Sequence, residues 1–122
     1  MERSGEMKEK VIEVQDKDGI TFVRVGEKRL YQNIVDPFQE ELVAIIDQGK
    51  EKLIIDLSEV DVINSSGLGV LILASDRLSK VGGKLVVTGL SPLLKELFQR
   101  MRLNTLFAVV ESQEEALSEI RK

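Results

Sequence analysis

The stretch KLIIDLSEVDVINSSGLGVLILASDRLSKVGGKLVVTGL, residues 52–90, decides the fold. It opens with KLIIDL at residues 52–57 and closes with KLVVTGL at 84–90, two nearly unbroken apolar runs of the kind a strand needs when both faces of its sheet are covered. Between them Leu68, Leu71, Ile72, Ser75 and Leu78 recur at the three-four spacing of a buried helix face, which ends at Gly82-Gly83. A strand, a helix and a second strand in that order form a crossover between parallel strands, right-handed by the usual twist argument.

Toward the amino end, KVIEVQDKDGITFVRVGE carries two β-branched runs around Asp16-Lys17-Asp18-Gly19, a hairpin signal that predicts antiparallel strands over residues 10–15 and 20–25. After a polar connection, Asp36-Pro37 suits a helix start, and Phe38, Leu42, Ile45, Ile46 and Gly49 mark its apolar face and its stop. Toward the carboxyl end, Ser91-Pro92 opens a helix with Leu93, Leu94, Leu97, Phe98 and Met101 as its face, Met101 falling in the core or on the rim of a contact surface. LFAVV at 106–110 reads as a last strand, and Ser112-Gln113-Glu114-Glu115 as a reciprocal capping box before a helix that turns Ala116, Leu117 and Ile120 inward. The expected architecture is α/β, a mixed sheet of about five strands with about four helices in a single domain. Residues 1–9 are polar and aperiodic and read as a flexible tail, with the domain over 10–122.

The 122 residues contain no Cys and no His, which removes thiolate nucleophiles, imidazole bases, disulfides and nearly all transition-metal sites together. A formal net charge of −4, a single Tyr, four Phe and no Trp argue against nucleic acid as a ligand. The apolar runs are far shorter than the roughly 20 residues of a membrane span, and MERSGEMKEK has no apolar segment of a secretory signal. A cytoplasmic protein without cofactor, membrane or nucleic-acid contact is expected.

Ser65, Ser66 and Gly67 fall at the amino end of the second helix, where backbone N–H groups lack partners and the helix dipole favours an anion. Gly67 and Gly69 remove side chains that would block close approach. The long glycine loop with an embedded Lys that usually meets a nucleotide is missing, whereas phosphorylation of a serine would add about 1.5 to 2 negative charges at this helix start. The plainer reading is that a serine caps the helix, worth about 1 kcal/mol, and that the glycines serve packing. Both hold together if Ser66 caps while Ser65 faces solvent. Asp56, Glu59 and Asp61 read as a solvated acidic loop rather than a cation site, and Lys95, Arg100 and Arg102 as a solvated basic face.

The stretch DLSEVDVINSSGLGVLILASDRLSKVGGKLVVTGLSPLLKELFQRMRLNTLFAVVESQEEAL, with this order of elements, resembles the bacterial anti-sigma factor antagonists, single-domain members of the STAS family. Residues 64–69, matching a motif that in the family reads Asp-Ser-Ser/Thr-Gly-Leu-Gly, are the most specific part. The resemblance implies that Ser65 is phosphorylated by an anti-sigma factor with serine kinase activity and restored by a phosphatase. It further implies that the unphosphorylated form binds the anti-sigma factor and frees the sigma factor, with Asn64, Ser66, Gly67, Leu68 and Gly69 forming the surrounding contact motif. Two departures stand out: Asn64 occupies the usual Asp position, and Gly26-Glu27-Lys28-Arg29 replaces Gly-Glu-Leu-Asp, an acidic-to-basic change at a presumed interface. Alternatives are a small-ligand sensor for a nucleotide or anion and a non-switching STAS adaptor. An enzyme with Ser65 as nucleophile lacks an accompanying base.

Overall fold

A computed structural model describes residues 10–122; the expected tail at residues 1–9 lies outside the described residues. The hairpin forms with β1 (Ile12–Lys17) and β2 (Ile20–Val25) joined by Asp18 and Gly19, both at positive φ (55° and 79°). This two-residue turn matches the twist of the flanking strands and sets Lys17 opposite Ile20. The first strand therefore runs on to Lys17 instead of ending at residue 15. At its start, the N–H groups of Val11 and Ile12 donate to the Glu41 carboxylate at 3.0–3.1 Å, tying the sheet edge to the first helix.

That helix, α1 (Val35–Asp47), follows a 3₁₀ turn at Gln32–Ile34, so Asp36 and Pro37 lie inside its first turn rather than at its cap. Phe38, Leu42, Ile45 and Ile46 are buried as their spacing predicts, and Gly49 leaves the helix at φ 95°. The crossover read from residues 52–90 is present as β4 (Lys52–Asp56), α2 (Ser65–Lys80) and β6 (Lys84–Thr88), with β6 parallel to β4. Before them the chain forms the two-residue β3 (Arg29–Leu30), and between β4 and α2 the two-residue β5 (Val62–Ile63); these pair in parallel as a small second sheet that the hydrophobic pattern does not announce. The rest is α3 (Pro92–Arg100), a 3₁₀ turn at Leu103–Thr105, β7 (Ala108–Val109) and α4 (Gln113–Ile120).

The main sheet has the order β1-β2-β4-β6-β7, antiparallel at β1 and parallel elsewhere. Val23, Leu53, Ile55, Leu85 and Val87 face the larger core shared with α1, α2 and α3, while Ile20, Ile54 and Val86 face Ala116 and Ile120 of α4. Helices on both faces of a central parallel sheet explain the apolar runs of β4 and β6.

Several inward assignments shift. α2 packs on α1 as well as on the sheet, so Gly67, Val70 and Ala74 turn inward beside Leu68, Leu71 and Leu78, and Ile72 is left 38% exposed. On α3 only Leu94 and Phe98 are buried, Phe98 meeting Phe107 edge to face at 6.2 Å, whereas Leu93 and Met101 lie on the surface. The last strand is shorter than residues 106–110 because the 3₁₀ turn runs almost to it, with Leu106 exposed. The capping box is altered too. Ser112 Oγ accepts from the Glu115 amide at 3.1 Å, but the Glu115 carboxylate accepts from the amide of Glu111 rather than that of Ser112.

Lys84 Nζ donates to the carbonyl of Glu119 at 2.8 Å and to its carboxylate at 3.2 Å, fastening α4 to β6. These bonds, with a second from Lys122, hold the Glu119 carboxyl below its ordinary pKa. A depressed folded-state pKa contributes stability above the unfolded value and loses it as pH falls through the folded one. Urea titrations of Glu119→Gln are expected to give a smaller loss of stability between neutral pH and mild acid than in the unchanged protein.

Candidate functional site

Beyond the carboxyl ends of the parallel strands, β4 gives way to a short loop, β5 and the start of α2. Leu57 and Val60 of this loop are buried, anchoring it to the core, and the Leu57 N–H donates to the Thr88 carbonyl at 2.9 Å. Asp56 Oδ1 accepts from the Ser58 amide at 2.9 Å, and Glu59 pairs with Arg24 at 2.6 Å. Asp56 thus braces a turn and Glu59 meets a cation of the protein itself, while Asp61 is exposed. No group of three or more potential metal ligands occurs among the described residues.

α2 is capped by Asn64, not by Ser66. Asn64 is extended (φ −96°, ψ 179°), and its Oδ1 accepts from the Gly67 amide at 2.9 Å while its carbonyl receives the Leu68 amide at 3.0 Å. Ser65 and Ser66 are therefore the first two helical residues, and both are exposed. The Asn64 N–H donates to the Leu30 carbonyl at 3.2 Å, so two of the first four donors at this terminus are satisfied. For the amides of Ser65 and Ser66 no hydrogen bond occurs among the described residues. A carboxamide oxygen caps as well as a carboxylate does, so Asn64 preserves the local geometry without the charge. Asn64→Ala is expected to lower stability by about 1 kcal/mol and Asn64→Asp to leave it level or raise it slightly, the new charge facing the helix dipole; urea midpoints check both.

The two glycines of the motif do different things. A Cβ at Gly67 would lie 2.8 Å from Ile63 Cγ1 and 2.9 Å from the Leu30 carbonyl oxygen, so this glycine lets α2 press onto the β3–β5 pair. At Gly69 a Cβ would meet nothing within 4 Å, and the residue is exposed. Close approach from within the protein explains Gly67 but not Gly69. Leu68 is buried. Ser65, Gly69 and Ile72 follow one another by four and three residues along the exposed side of α2, ending in a partly exposed isoleucine.

The segment Lys28–Leu30 is brought to the same rim. The Lys28 carbonyl accepts from the amides of Asp61 (2.8 Å) and Val62 (3.2 Å), and β3 sets exposed Arg29 beside Val62 and Leu30 beside Ile63. Two sequence departures far apart in the chain, Asn64 and Lys28-Arg29, are thereby joined. Nothing in a two-residue strand signals such pairing in the sequence. The basic face, in contrast, is not a unit. Lys95 pairs with Glu111 and Arg100 with Glu96, while Arg102 takes a left-handed conformation after α3 (φ 57°).

The STAS domain family profile matches residues 11–116, and the chain belongs to this family. BtrV of Bordetella bronchiseptica, assigned as an anti-sigma factor antagonist, is 35% identical over 81 residues, covering 66% of this chain and 70% of that one. The structure assigned to an anti-sigma factor antagonist of Thermotoga maritima superposes with a TM-score of 0.81 at 19% identity, over 91% of this chain and 95% of that one. The cell fate determinant SpoIIAA of Bacillus, solved in its phosphorylated form, gives a TM-score of 0.68 at 20% identity, over 90% and 99% of the two chains. No helix among the described residues is long and apolar enough to cross a membrane.

Proposed function

We propose that the chain is an anti-sigma factor antagonist that works by docking rather than by catalysis and is switched off by phosphorylation of Ser65. The observation that carries this reading is the exposure of Ser65 as the first residue of α2, beside backbone amides that find no partner among the described residues and in line with Gly69 and Ile72. A phosphoryl group there gains from the helix dipole and fits the fold without disturbing its interior. The same charge confronts any partner that lies along Gly69 and Ile72, where it must be desolvated on docking. Gly69 supports this reading because its missing side chain serves no internal contact, while it leaves the backbone bare for a partner. Membership of the family, the name of BtrV and the phosphorylated state in which SpoIIAA was solved agree with it.

In this scheme the unphosphorylated protein binds an anti-sigma factor, sigma factor is freed, the anti-sigma factor's serine kinase activity ends the interaction, and a phosphatase restores it. Asn64, Ser66, Gly67, Leu68 and Gly69 shape the docking start, and Lys28 and Arg29 select a partner with an acidic complement. No cofactor is required. The test is incubation with the cognate anti-sigma kinase and ATP followed by mass spectrometry. Phosphate on Ser65, absent from Ser65→Ala, is expected; phosphate elsewhere or none at all rejects the reading.

A further inference from the structure

The outer edge of the main sheet is β1, which among the described residues pairs with β2 and with no other strand. Its register fixes which backbone groups point away from the sheet. The two-residue turn makes Lys17 and Ile20 a hydrogen-bonded pair, and the Gly26 amide donates to the Val11 carbonyl at 2.9 Å. By alternation the odd-numbered residues of β1 bond to β2, and Ile12, Val14 and Asp16 turn their N–H and C=O groups outward. The Ile12 N–H is occupied by Glu41, which leaves Val14 and Asp16 as the open positions among the described residues.

Natural edge strands are commonly blocked by a proline, a bulge, very short length or charged side chains that a second strand would leave unmatched. β1 is six residues long, has no proline, pairs with β2 in unbroken register, and carries a valine that is 45% exposed in its middle. Its charges are arranged for self-complementarity. Glu13, Gln15 and Lys17 share the face of the sheet on the α4 side. When two copies of β1 run antiparallel with Gln15 on the two-fold axis, Glu13 of each faces Lys17 of the other, twice. The open groups of Val14 then meet those of Asp16 of the second copy. The Asp16 carboxylate already accepts from Thr21 Oγ1 at 2.7 Å and pairs with Lys50 at 3.1 Å, so it enters the contact with its charge matched. On the other side of the sheet, Val14 borders a groove lined also by Ala44 and Ile45, and the two valines approach diagonally across the axis. A register shifted so that Val14 lies on the axis would oppose Glu13 to Gln15 and make no charge pair. Opposite charges across a strand pair stabilise it and like charges oppose it, so the charges select the first register.

We propose that β1 is a self-association edge, on which a second copy of this chain adds antiparallel to join the two sheets into one. The contact leaves the exposed side of α2 uncovered, so the pair presents two copies of the Ser65 surface; the proposal stands independently of the role assigned to Ser65. Sedimentation equilibrium of the full chain, from micromolar to high-micromolar concentration, tests it with two variants at exposed positions. The unchanged protein is expected to approach twice the monomer mass, Lys17→Glu to shift to the monomer mass, and Glu13→Lys combined with Lys17→Glu to recover the dimer by exchanging the partners of each ion pair. Circular dichroism checks that both variants fold. A monomer at every concentration, a dimer indifferent to Lys17→Glu, or a double variant that stays monomeric overturns the proposal.

Discussion

Ser65→Asp is expected to weaken binding to the cognate anti-sigma factor by about 2 kcal/mol or more, roughly thirty-fold in Kd, because a charge enters a surface that must lose water on docking. The same substitution is expected to leave the free protein's stability unchanged or to raise it by about 0.3–1 kcal/mol, since an anion at the first helical residue meets the positive end of the dipole. Opposite signs for binding and folding distinguish a switch from simple damage. Ser65 is exposed, and Asn64 supplies the cap without it. Ser65→Ala, lacking both charge and phosphoacceptor, is expected to bind like the unchanged protein and to resist phosphorylation. Calorimetry of the three proteins against the anti-sigma factor, with their thermal unfolding alongside, makes the comparison. Equal affinity of Ser65→Asp and the unchanged chain excludes the charge switch.

Gly67→Val is expected to destabilise the fold by about 3 kcal/mol, the upper range for forcing a side chain into a filled space. The contacts that forbid a Cβ are the Leu30 carbonyl oxygen and the first methylene of Ile63, and the former cannot move without shifting β3. That carbonyl also accepts the Asn64 amide, so the displacement would reach the residue that caps α2. Gly69→Ala, two residues along the same helix, is expected to raise stability by about 0.5–1 kcal/mol through reduced backbone entropy in the unfolded chain. Under the proposed function it weakens partner binding nonetheless, because the new methyl stands on the docking side. Urea unfolding of the two variants separates an internal glycine from a surface one. Destabilisation of equal size at both positions would show that Gly69 too is held by internal packing.

Much of this arrangement is legible in the residues. The apolar runs of β4 and β6, the helical spacing of Leu68, Leu71 and Leu78, the Asp18-Gly19 turn and the Ser91-Pro92 start each carry a local rule that the fold obeys. Errors gather where a helix has more than one neighbour or a strand is too short for periodicity. Ile72 has the spacing of a buried residue, but α1 draws the inward arc of α2 toward Val70 and Ala74. Leu93 fails similarly, because α3 buries a narrow strip around Leu94 and Phe98, and Met101 is kept out of the core for the same reason. In the candidate site, the motif located the start of α2 but assigned the cap to Ser66, although asparagine caps as well as serine and precedes both serines.

The sequence by itself determined the order of the main-sheet strands and the four helices, the crossover that makes the sheet parallel, the chemistry excluded by the lack of His and Cys, and the position of Ser65 at a helix start. These follow from interactions within a few residues or from composition, and local spacing records them. Only the tertiary structure decided that Gly67 faces a backbone carbonyl while Gly69 faces open space, and that Lys28 and Arg29 share a rim with Asn64. Those facts depend on β3 meeting β5, a contact between segments some thirty residues apart that packing creates and no local pattern encodes.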